Sequence, residues 1–478
     1  MYNSKDTIRK MKKHGEKMNS IRDNKDFYKT ALSLALPIAF QNLLVSCGAL
    51  IDTSMVMALG NVATSAVGLA GRFAFLLNVV AFGFCSGSAT LISQFWGAGE
   101  HKNIKRTFGL ALSSSLVVAF LFGLLFYSFP SALMKIFTDE AEVIAVGAVY
   151  LKYYAFATVF VMFSQVGCAA LRAVERVSVP LISSLVSVCV NIFFNYCLIG
   201  GNFGFPRLEM KGAAIATAIG AFVQALVVFM FVFLGNSPIK GKIKDYFGQS
   251  RAFVYKFVRI GAPVLFNETV WAVGTNVYLA VIARQGVENH SAYTVYDTFQ
   301  QLFFVFFVGM CNAAAIMIGK RIGEGDREGG YDCAKRFLFL TPVVAVFIGI
   351  LMLLLRMPIL NLLPVETEGT RQIAATLLIG YACWLPVKMI PYTAICGVFR
   401  AGGDTKTGFL IDFLSLYLVG IPTVVILGFF TEIPFPLLVL LMYISEDIPK
   451  MAMCARHFFS RKWIIELSDR SASAIEEK

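Results

Sequence analysis

Charged residues are scarce in this sequence of 478 residues. They make up 15% of the chain, and hydrophobic residues make up 57%, with a mean hydropathy of +0.69. A soluble protein carries about 25% charged residues, so the scarcity excludes an ordinary soluble protein. Continuously apolar runs of ~20 residues or more lie between short charged stretches, and such a run crosses ~30 Å of hydrocarbon as a helix. Alternation of apolar and polar residues, which a membrane β-barrel needs, is missing.

Paired cysteines and clustered histidines are missing as well. The ten cysteines stand singly, many of them in apolar segments, and the chain has four histidines. This pattern excludes a disulfide framework and a zinc site, and we expect no cofactor beyond a transported ion. No cleavable signal peptide is apparent, because residues 1–30 are polar and basic and the first apolar run is too long for a signal sequence. We expect residues 1–30 to form a cytoplasmic tail or a disordered leader.

The apolar runs predict twelve membrane-spanning helices. Their predicted ranges are 31–58, 64–94, 108–129, 143–168, 179–199, 212–234, 257–283, 291–318, 337–355, 373–397, 408–430 and 435–456. An even number of spans places both ends of the chain on the same side of the membrane. The sequence therefore predicts an all-α, multi-pass membrane protein, which we expect in the cell (plasma) membrane as a monomer.

Positive charges are divided unevenly between the two sides. Taken alone, the net charge of +12 is compatible with nucleic-acid binding. However, 32 Lys and Arg residues fall on the side of the chain ends and seven on the other, while Arg72, Lys388 and Lys450 lie within spans. Lys and Arg gather in the cytoplasmic loops of membrane proteins. The distribution thus predicts cytoplasmic termini, and nucleic acid is not expected as a partner.

The chain contains an internal repeat of 226 residues. Residues 37–100 align without a gap on 263–326, with Pro37 on Pro263 and Gly60 on Gly286. A weaker match at an offset of 228 places Arg172 on Arg400. Each half has an even number of spans, so the halves share one orientation, and the axis relating them should run along the membrane normal.

The repeat predicts two pseudo-symmetric six-helix lobes. We expect an N-terminal tail over 1–30, an N-lobe over 31–234, a cytoplasmic linker over 235–256, a C-lobe over 257–457 and a C-terminal tail over 458–478. The linker is rich in Lys and Gly, as connecting segments often are. This architecture favours a transporter with its solute pathway between the lobes. An enzyme is not expected, because no catalytic constellation is apparent.

Polar residues gather at one depth in the first half. Asp52 lies about six residues, or ~9 Å, from the outer end of the first span. Asn191 and Asn195 share one face of the fifth span, and Thr217 lies at a similar depth in the sixth. A carboxylate, two amides and a hydroxyl predict a Na⁺ site or a polar nest for a protonatable Asp52. Ordinary hydrogen bonding between helices is the alternative for the Asn and Thr residues.

The second half has a different set of polar residues. Tyr278 stands where the repeat would place a second Asp52, whereas Glu268 lies about eleven residues, or ~16 Å, into the seventh span, near the midplane. The other acids of the second half face two lysines; they are Asp297, Asp412, Glu446 and Asp447, against Lys388 and Lys450.

These charges leave several pairings open. Glu446 and Lys450 are four residues apart and can neutralise each other. Lys388 can pair with Glu268 or with Asp412. A midplane acid among aromatic side chains suits a lipophilic cation; those aromatic residues are Trp271, Tyr278 and Trp384.

With these residues in view, the chain resembles the multidrug and toxic compound extrusion (MATE) transporters over nearly all of residues 30–460. The resemblance rests on stretches that occur in order, together with the repeat. They are Leu36-Pro-Ile38, Ile51-Asp-Thr-Ser-Met-Val56, Gln94-Phe-Trp-Gly-Ala-Gly-Glu100, Gly212-Ala-Ala-Ile-Ala-Thr217 and Phe399-Arg-Ala-Gly-Gly-Asp-Thr405.

The resemblance implies roles for several residues. Asp52 matches the family's N-lobe carboxylate, and Asn191, Asn195 and Thr217 match polar positions around it. Glu268 matches the acid that the NorM-like branch uses in its C-lobe. That branch also uses an acid in the tenth span, but the equivalent stretch here is Pro386-Val-Lys-Met-Ile390. The departure makes the N-lobe cluster the better-supported coupling site.

The sequence thus predicts an antiporter that exports an organic, lipophilic cation in exchange for Na⁺ or H⁺ by alternating access. Glu268, Asp297, Trp271, Tyr278, Lys388 and Asp412 are the predicted C-lobe substrate residues. A first alternative is a flippase for lipid-linked saccharides, which should present cavity-facing Arg and Lys. A second is a membrane scaffold or receptor that transports nothing, whose acids within the spans should be dispensable.

Overall fold

The computed structural model describes residues 4–362 and 367–468, and the side chains of 25–361 and 367–468. Within these ranges the chain is helical apart from short connections and one isolated antiparallel bridge between Gly403 and Ile464. The first half contains eight α-helices. They are α1 (Ser4–Met57), α2 (Asn61–Ala98), α3 (His101–Ser128), α4 (Pro130–Met134), α5 (Ala141–Tyr154), α6 (Ala157–Ala173), α7 (Ser178–Gly200) and α8 (Glu209–Phe229).

The second half contains seven α-helices, and two π-helical stretches adjoin three of them. The α-helices are α9 (Arg251–Ala283), α10 (Val287–Gly323), α11 (Arg327–Leu362), α12 (Glu368–Tyr392), α13 (Thr405–Phe413), α14 (Ile421–Phe430) and α15 (Phe435–Ser460). π-Helical turns continue α12 over Thr393–Phe399 and join α13 to α14 over Leu414–Gly420. π-Helical turns are frequent at functional sites.

Each of the twelve predicted spans coincides with a helix or a helix pair. Among the described residues, nine helices are long and apolar enough to cross a membrane. A tenth span results if α5 and α6, bent by 52° at their junction, are counted together. The remaining two predicted spans are α9 and α15, which carry Glu268 and the group Glu446, Asp447 and Lys450. These charges are paired inside the protein, as described below.

Helix α1 begins earlier than predicted. It starts at Ser4, so residues that we expected to form a tail continue the first span as helix. Residues 1–3 and 469–478 of the predicted tails lie outside the described residues. Residues 461–468, also predicted as tail, fold back along the protein, with Trp463 fully buried and Leu467 in the same apolar cluster as Phe95 of α2.

Apolar stripes on the outer helices face away from the protein. Phe120 and Leu124 of α3 are 64% and 52% exposed, and Phe347 and Leu354 of α11 are 69% and 70% exposed. Residues three, four or seven apart share one helix face. Exposed apolar surface of this extent marks contact with an apolar environment, which for this protein is lipid.

The two halves meet through contacts that the repeat relates. A side chain at Gly97 would lie 1.9 Å from the carbonyl oxygen of Lys320, and one at Gly323 would lie 1.9 Å from that of Gln94. The repeat aligns Gly97 with Gly323 and Gln94 with Lys320. Each contact is therefore the counterpart of the other, as a pseudo-two-fold axis requires. Only glycine lets the two helix backbones approach this closely.

A second pair of contacts obeys the same rule. A side chain at Gly83 of α2 would meet Leu265 of α9 at 2.8 Å, and one at Gly309 of α10 would meet Ala39 of α1 at 3.0 Å. Ala39 and Leu265 are again 226 residues apart. The contact between the halves thus includes α2 against α10, α2 against α9 and α1 against α10. The predicted repeat corresponds to a structural one.

Matched glycines also start α2 and α10. Gly60 and Gly286 both have a φ of +103° directly before the first helical residue. This region of backbone space is strained for residues with a side chain. The repeat therefore preserves the turn that leads into the second helix of each half.

Candidate functional site

The first-half cluster brings three of its four predicted residues into direct contact. Asp52 projects from α1, five residues before its end, and Asn191 and Asn195 project from one face of α7. The Nδ2 of Asn195 donates a short hydrogen bond to Oδ1 of Asp52 and lies 3.3 Å from Oδ1 of Asn191. Asn195 is fully buried, while Asp52 is half-buried. The carboxylate thus lies at the edge of the helix bundle, with its amide partner inside.

Thr217 joins the cluster through a residue that the sequence did not single out. Its hydroxyl donates to the carbonyl oxygen of Ala213, 2.9 Å away on α8. The Tyr150 side chain of α5 lies close to the Thr217 hydroxyl and to the Asp52 carboxylate. Tyr150 is 7% exposed. A tyrosine in an apolar helix gives no sequence signal that distinguishes it from a core residue.

The cluster has an oxygen available for a cation. Oδ1 of Asn195 accepts no hydrogen bond from any residue that the structure describes, although it is buried. A buried amide oxygen without a donor is unfavourable, and a cation beside the Asp52 carboxylate would satisfy it. Hard cations such as Na⁺ are bound by this kind of oxygen set. The same residues suit a proton on Asp52, so the geometry fits either ion.

In the second half, Glu268 pairs with a residue that we had not considered. Its Oε1 lies 2.7 Å from Nη2 of Arg400, whose side chain is 5% exposed. The predicted pairing of Glu268 with Lys388 is therefore wrong. The repeat indicates the role of Arg400, because its counterpart Arg172 makes a similar contact in the first half. Nη1 of Arg172 donates to Oε1 of Gln41 on α1, 3.2 Å away. In both halves an arginine reaches the first long helix of its half.

Lys388 and Asp412 are also not paired with each other. Nζ of Lys388 lies 3.7 Å from Oδ1 of Asp447 and 4.5 Å from the ring centroid of Tyr443. The other carboxylate oxygen of Asp447 accepts a 2.8 Å hydrogen bond from the Trp384 indole. The prediction that Lys388 binds Glu268 or Asp412 failed because sequence spacing does not tell which faces of α12 and α15 meet.

Lys450 of α15 bridges two acids. Its Nζ lies 2.6 Å from Oε1 of Glu446, as the four-residue spacing predicted, and 2.8 Å from Oδ1 of Asp412 on α13. Asn267 of α9 donates to Oδ2 of Asp412 at 2.9 Å. The hydroxyl of Tyr278, also on α9, donates to Oε2 of Glu446 at 3.1 Å. Tyr278 is thus hydrogen-bonded within a charged network and is not a free aromatic side chain.

The other two predicted residues of the second half lie apart from this network. Asp297 of α10 accepts a 2.7 Å hydrogen bond from Gln301 one turn further on. Trp271 is 46% exposed on α9. The six predicted substrate residues therefore do not form one compact pocket, and three of them are held in ion pairs.

Hydrogen bonds and an ion pair join the two halves at one end of the molecule. Lys320 of α10 binds both carboxylate oxygens of Glu175, at 2.8 and 3.0 Å, and the Trp96 indole donates to the same carboxylate at 3.0 Å. Gln94 of α2 donates to the carbonyl oxygen of Ala401 at 2.8 Å. These contacts surround the Gly97 and Gly323 approach.

One ionisable pair outside the spans is shielded near the same end. Asp404, before α13, lies 2.8 Å from Nε2 of His457 and accepts a hydrogen bond from the backbone N–H of Thr407. Burial by itself would raise the pKa of Asp404, but the hydrogen bonds from His457 and Thr407 outweigh it and hold the pKa below its ordinary 3.8.

A multi-pass bundle of two helical halves is typical of a membrane transporter, and in this protein amides bind the ionisable groups of the first half while ion pairs bind those of the second. Comparison with known proteins agrees with this class. The family model described as MatE matches residues 37–197 and again 263–426, which are the two repeated halves. The chain belongs to the MatE family of transporters. The predictions of a transporter, and of two pseudo-symmetric lobes, are confirmed.

Several relatives cover most of the chain. A protein named probable multidrug resistance protein NorM, from Thermotoga maritima, is 24% identical over 82% of this chain and 84% of its own length. The probable multidrug resistance protein YoeA of Bacillus subtilis is 24% identical over 84% and 88%. The solved structure of a mutant of the Vibrio cholerae MATE transporter VcmN superposes with a TM-score of 0.81 at 17% identity, over 92% of this chain and 97% of that one.

Proposed function

We propose that the protein exports organic compounds in exchange for a cation, Na⁺ or H⁺, which binds at Asp52. The observation that carries the proposal concerns Asn195, whose Nδ2 donates to the Asp52 carboxylate. Its buried Oδ1 has no hydrogen-bond donor among the described residues. The names of the relatives, which refer to multidrug resistance, support an organic substrate. The substrate class that we propose is a lipophilic cation.

Ion binding at Asp52 would shift the equilibrium between the two conformations of the transporter. A ligand shifts an equilibrium between two conformations only by its difference in affinity for them. A half-buried carboxylate supplies such a difference, because neutralisation by a cation or proton makes deeper burial less costly. The substrate would stabilise the opposite arrangement of the lobes. We place the lobe boundaries at 31–234 and 257–457.

The contacts between the lobes support an arrangement that is closed on one side. The Gly97 and Gly323 approach and the Glu175–Lys320 pair lie at the end that carries most of the Lys and Arg residues. The positive-inside rule makes this end cytoplasmic in the cell membrane. Asp52 lies near the opposite end of α1, where an external ion would reach it.

The ion pairs weigh against the flippase alternative. A site for a pyrophosphate needs cations that face a cavity and are free to bind it. Lys388 and Lys450 are bound to carboxylates, and Arg72 is exposed on α2. The buried acids, for their part, weigh against a scaffold, since paired charges inside a membrane bundle are costly and usually functional.

The proposal is tested in proteoliposomes that contain the full-length protein. An imposed Na⁺ or H⁺ gradient should drive transport of a fluorescent lipophilic cation such as ethidium, and Asp52→Asn should abolish the gradient dependence. Phe120→Ala, on the lipid-facing stripe of α3, is the matched control and should transport as the unmodified protein does. Transport that no gradient drives, or that Asp52→Asn leaves unchanged, refutes the proposal.

A further inference from the structure

An apolar groove opens on the surface of the first half, between α8 and the junction where α5 and α6 meet at a bend of 52°. Its volume is about 300 Å³. Uncharged side chains form both walls, with Tyr153, Phe156 and Phe160 on one and Ile215, Ala218 and Phe222 on the other. Phe156 and Phe222 are 59% and 46% exposed. The groove is thus an indentation in the surface that faces lipid.

A lysine stands beside each wall at the mouth of the groove. Nζ of Lys211 lies 4.8 Å from the ring centroid of Tyr153. Nζ of Lys152 lies 5.1 Å from the ring centroid of Tyr127, and this ring contacts that of Phe156 at a centroid distance of 5.9 Å. The ammonium group of Lys211 therefore contacts the wall itself, and that of Lys152 is one aromatic ring away from it.

Both lysines lie at the outer end of the spans. Lys211 is in the first turn of α8, and Tyr127, which Lys152 contacts, is in the last turn of α3. These helix ends are on the side opposite the chain ends, which the positive-inside rule makes the outer side. The head groups of the outer lipid leaflet lie at this level, and the groove extends from it toward the hydrocarbon.

The positive charges at the mouth are not balanced by carboxylates. Among the residues that the structure describes, neither Lys152 nor Lys211 has a salt-bridge partner. Glu209, in the same helical turn as Lys211, is paired with Arg207 at 3.4 Å. The mouth of the groove therefore carries two positive charges that are available to an anion.

The repeat does not explain these lysines as part of the helix scaffold. At the offset of 228 residues, Gly380 and Val439 stand at the positions of Lys152 and Lys211. The matched Pro and Gly residues, in contrast, are alike in both halves. The two lysines therefore belong to a feature of the first half alone.

We propose that the groove binds a phospholipid of the outer leaflet that has an anionic head group, such as phosphatidylglycerol. The bilayer supplies the acyl chain that fills the groove, and Lys152 and Lys211 bind the phosphate. Basic residues beside membrane-spanning helices bind anionic head groups in this way. A zwitterionic head group is disfavoured, because its own ammonium opposes the lysines. The site is separate from the proposed ion site and does not depend on it.

The test is native mass spectrometry of the full-length protein with an equimolar mixture of phosphatidylglycerol and phosphatidylcholine that have identical acyl chains. One phosphatidylglycerol should be retained in preference. Lys152→Gln and Lys211→Gln should each lower this preference by ~5-fold, and the double variant by ~25-fold. Lys152→Arg and Lys211→Arg should keep it, because they keep the charge.

Two further variants separate the charge from the groove. Arg284→Gln is the matched control, because Arg284 is also on the outer side and lies over an aromatic ring, that of Phe429 at 5.7 Å, but in the second half. It should leave the preference unchanged. Ala218→Leu fills the groove without changing its charge and should lower the retention of both lipids.

Thermal unfolding gives a second measurement, since a ligand of the folded state raises its stability. Phosphatidylglycerol should raise the Tm of the unmodified protein above its value in phosphatidylcholine, and the double glutamine variant should lose this difference. Equal retention of the two lipids by the unmodified protein, or an unchanged preference in the double variant, overturns the proposal. Retention that Ala218→Leu leaves unchanged also overturns it, because the lysines would then bind a head group without the groove.

Discussion

Adding a methyl group at Gly97 or Gly323 should force the two lobes apart at their closed end. The added Cβ would lie 1.9 Å from a carbonyl oxygen of the opposing helix, whereas a carbon–oxygen contact needs about 3.3 Å. The helices must therefore separate by about 1.4 Å or distort. Overpacking of this kind costs about 1–3 kcal/mol, which corresponds to a shift of ~5–150-fold in the equilibrium between closed and separated lobes.

Alanine also favours a helix over glycine by about 0.8–1.0 kcal/mol, so the comparison needs a control for this effect. Gly71→Ala lies in the same helix as Gly97, and its added Cβ meets nothing within 4 Å. We expect Gly71→Ala to be neutral or stabilising in thermal unfolding. Gly97→Ala and Gly323→Ala should each be destabilised relative to it.

The assay is the rate at which a maleimide labels Ser93→Cys. Ser93 is buried against Gly319 at the contact between α2 and α10, so labelling requires the lobes to separate. Mass spectrometry of the peptide distinguishes this thiol from the ten natural cysteines. Gly97→Ala and Gly323→Ala should accelerate labelling alike, and the double variant by less than the product of the two. Labelling at the Gly71→Ala rate would refute this account of the contact.

Three further predictions concern the ion site and the closed end. Tyr150→Phe should raise the ion concentration for half-maximal transport by ~2–10-fold, because it removes a hydroxyl close to Thr217 and Asp52, and a hydrogen bond made by such a hydroxyl is worth about 0.5–1.5 kcal/mol. Glu175→Gln should accelerate Ser93→Cys labelling, and added salt should have a similar effect on the unmodified protein, since the pair with Lys320 is partly exposed. The pKa of Asp404 is lower in the folded protein than its ordinary value of 3.8, so the ionised carboxylate stabilises the fold at pH values above 3.8. This stabilisation is lost as the pH falls from 3.8 through the pKa of the folded protein. Asp404→Asn should therefore be less stable than the unmodified protein at neutral pH, in thermal unfolding, with the difference shrinking below pH 3.8.

The helices and the repeat could be read from the sequence because both depend on local pattern. Long apolar runs must form helices in a bilayer, since every backbone group has to be paired internally. The matched glycines at 60 and 286 mark the same turn in each half. The bend between α5 and α6 was not foreseen, because Ala155 and Phe156 at the junction give no breaking signal.

The first-half site was foreseen better than the second. Asn191 and Asn195 share a helix face by their spacing alone, and one carboxylate near them limited the choices. In the second half, three cations and five acids allow many pairings, and only the rotation of each helix decides among them. Arg400 illustrates this: its sequence position gave no partner, although its counterpart Arg172 contacts α1 in the other half.

The central claim, that an ion at Asp52 is exchanged for the substrate, is tested most directly by running the exchange backwards. Coupling between two ligands is reciprocal, so an imposed gradient of the organic cation across proteoliposomes must drive Na⁺ or H⁺ in the opposite direction. The unmodified protein should move the ion when the substrate gradient is applied, and Asp52→Asn should move the substrate without the ion, or neither. Ion movement by Asp52→Asn at the unmodified rate would contradict the account.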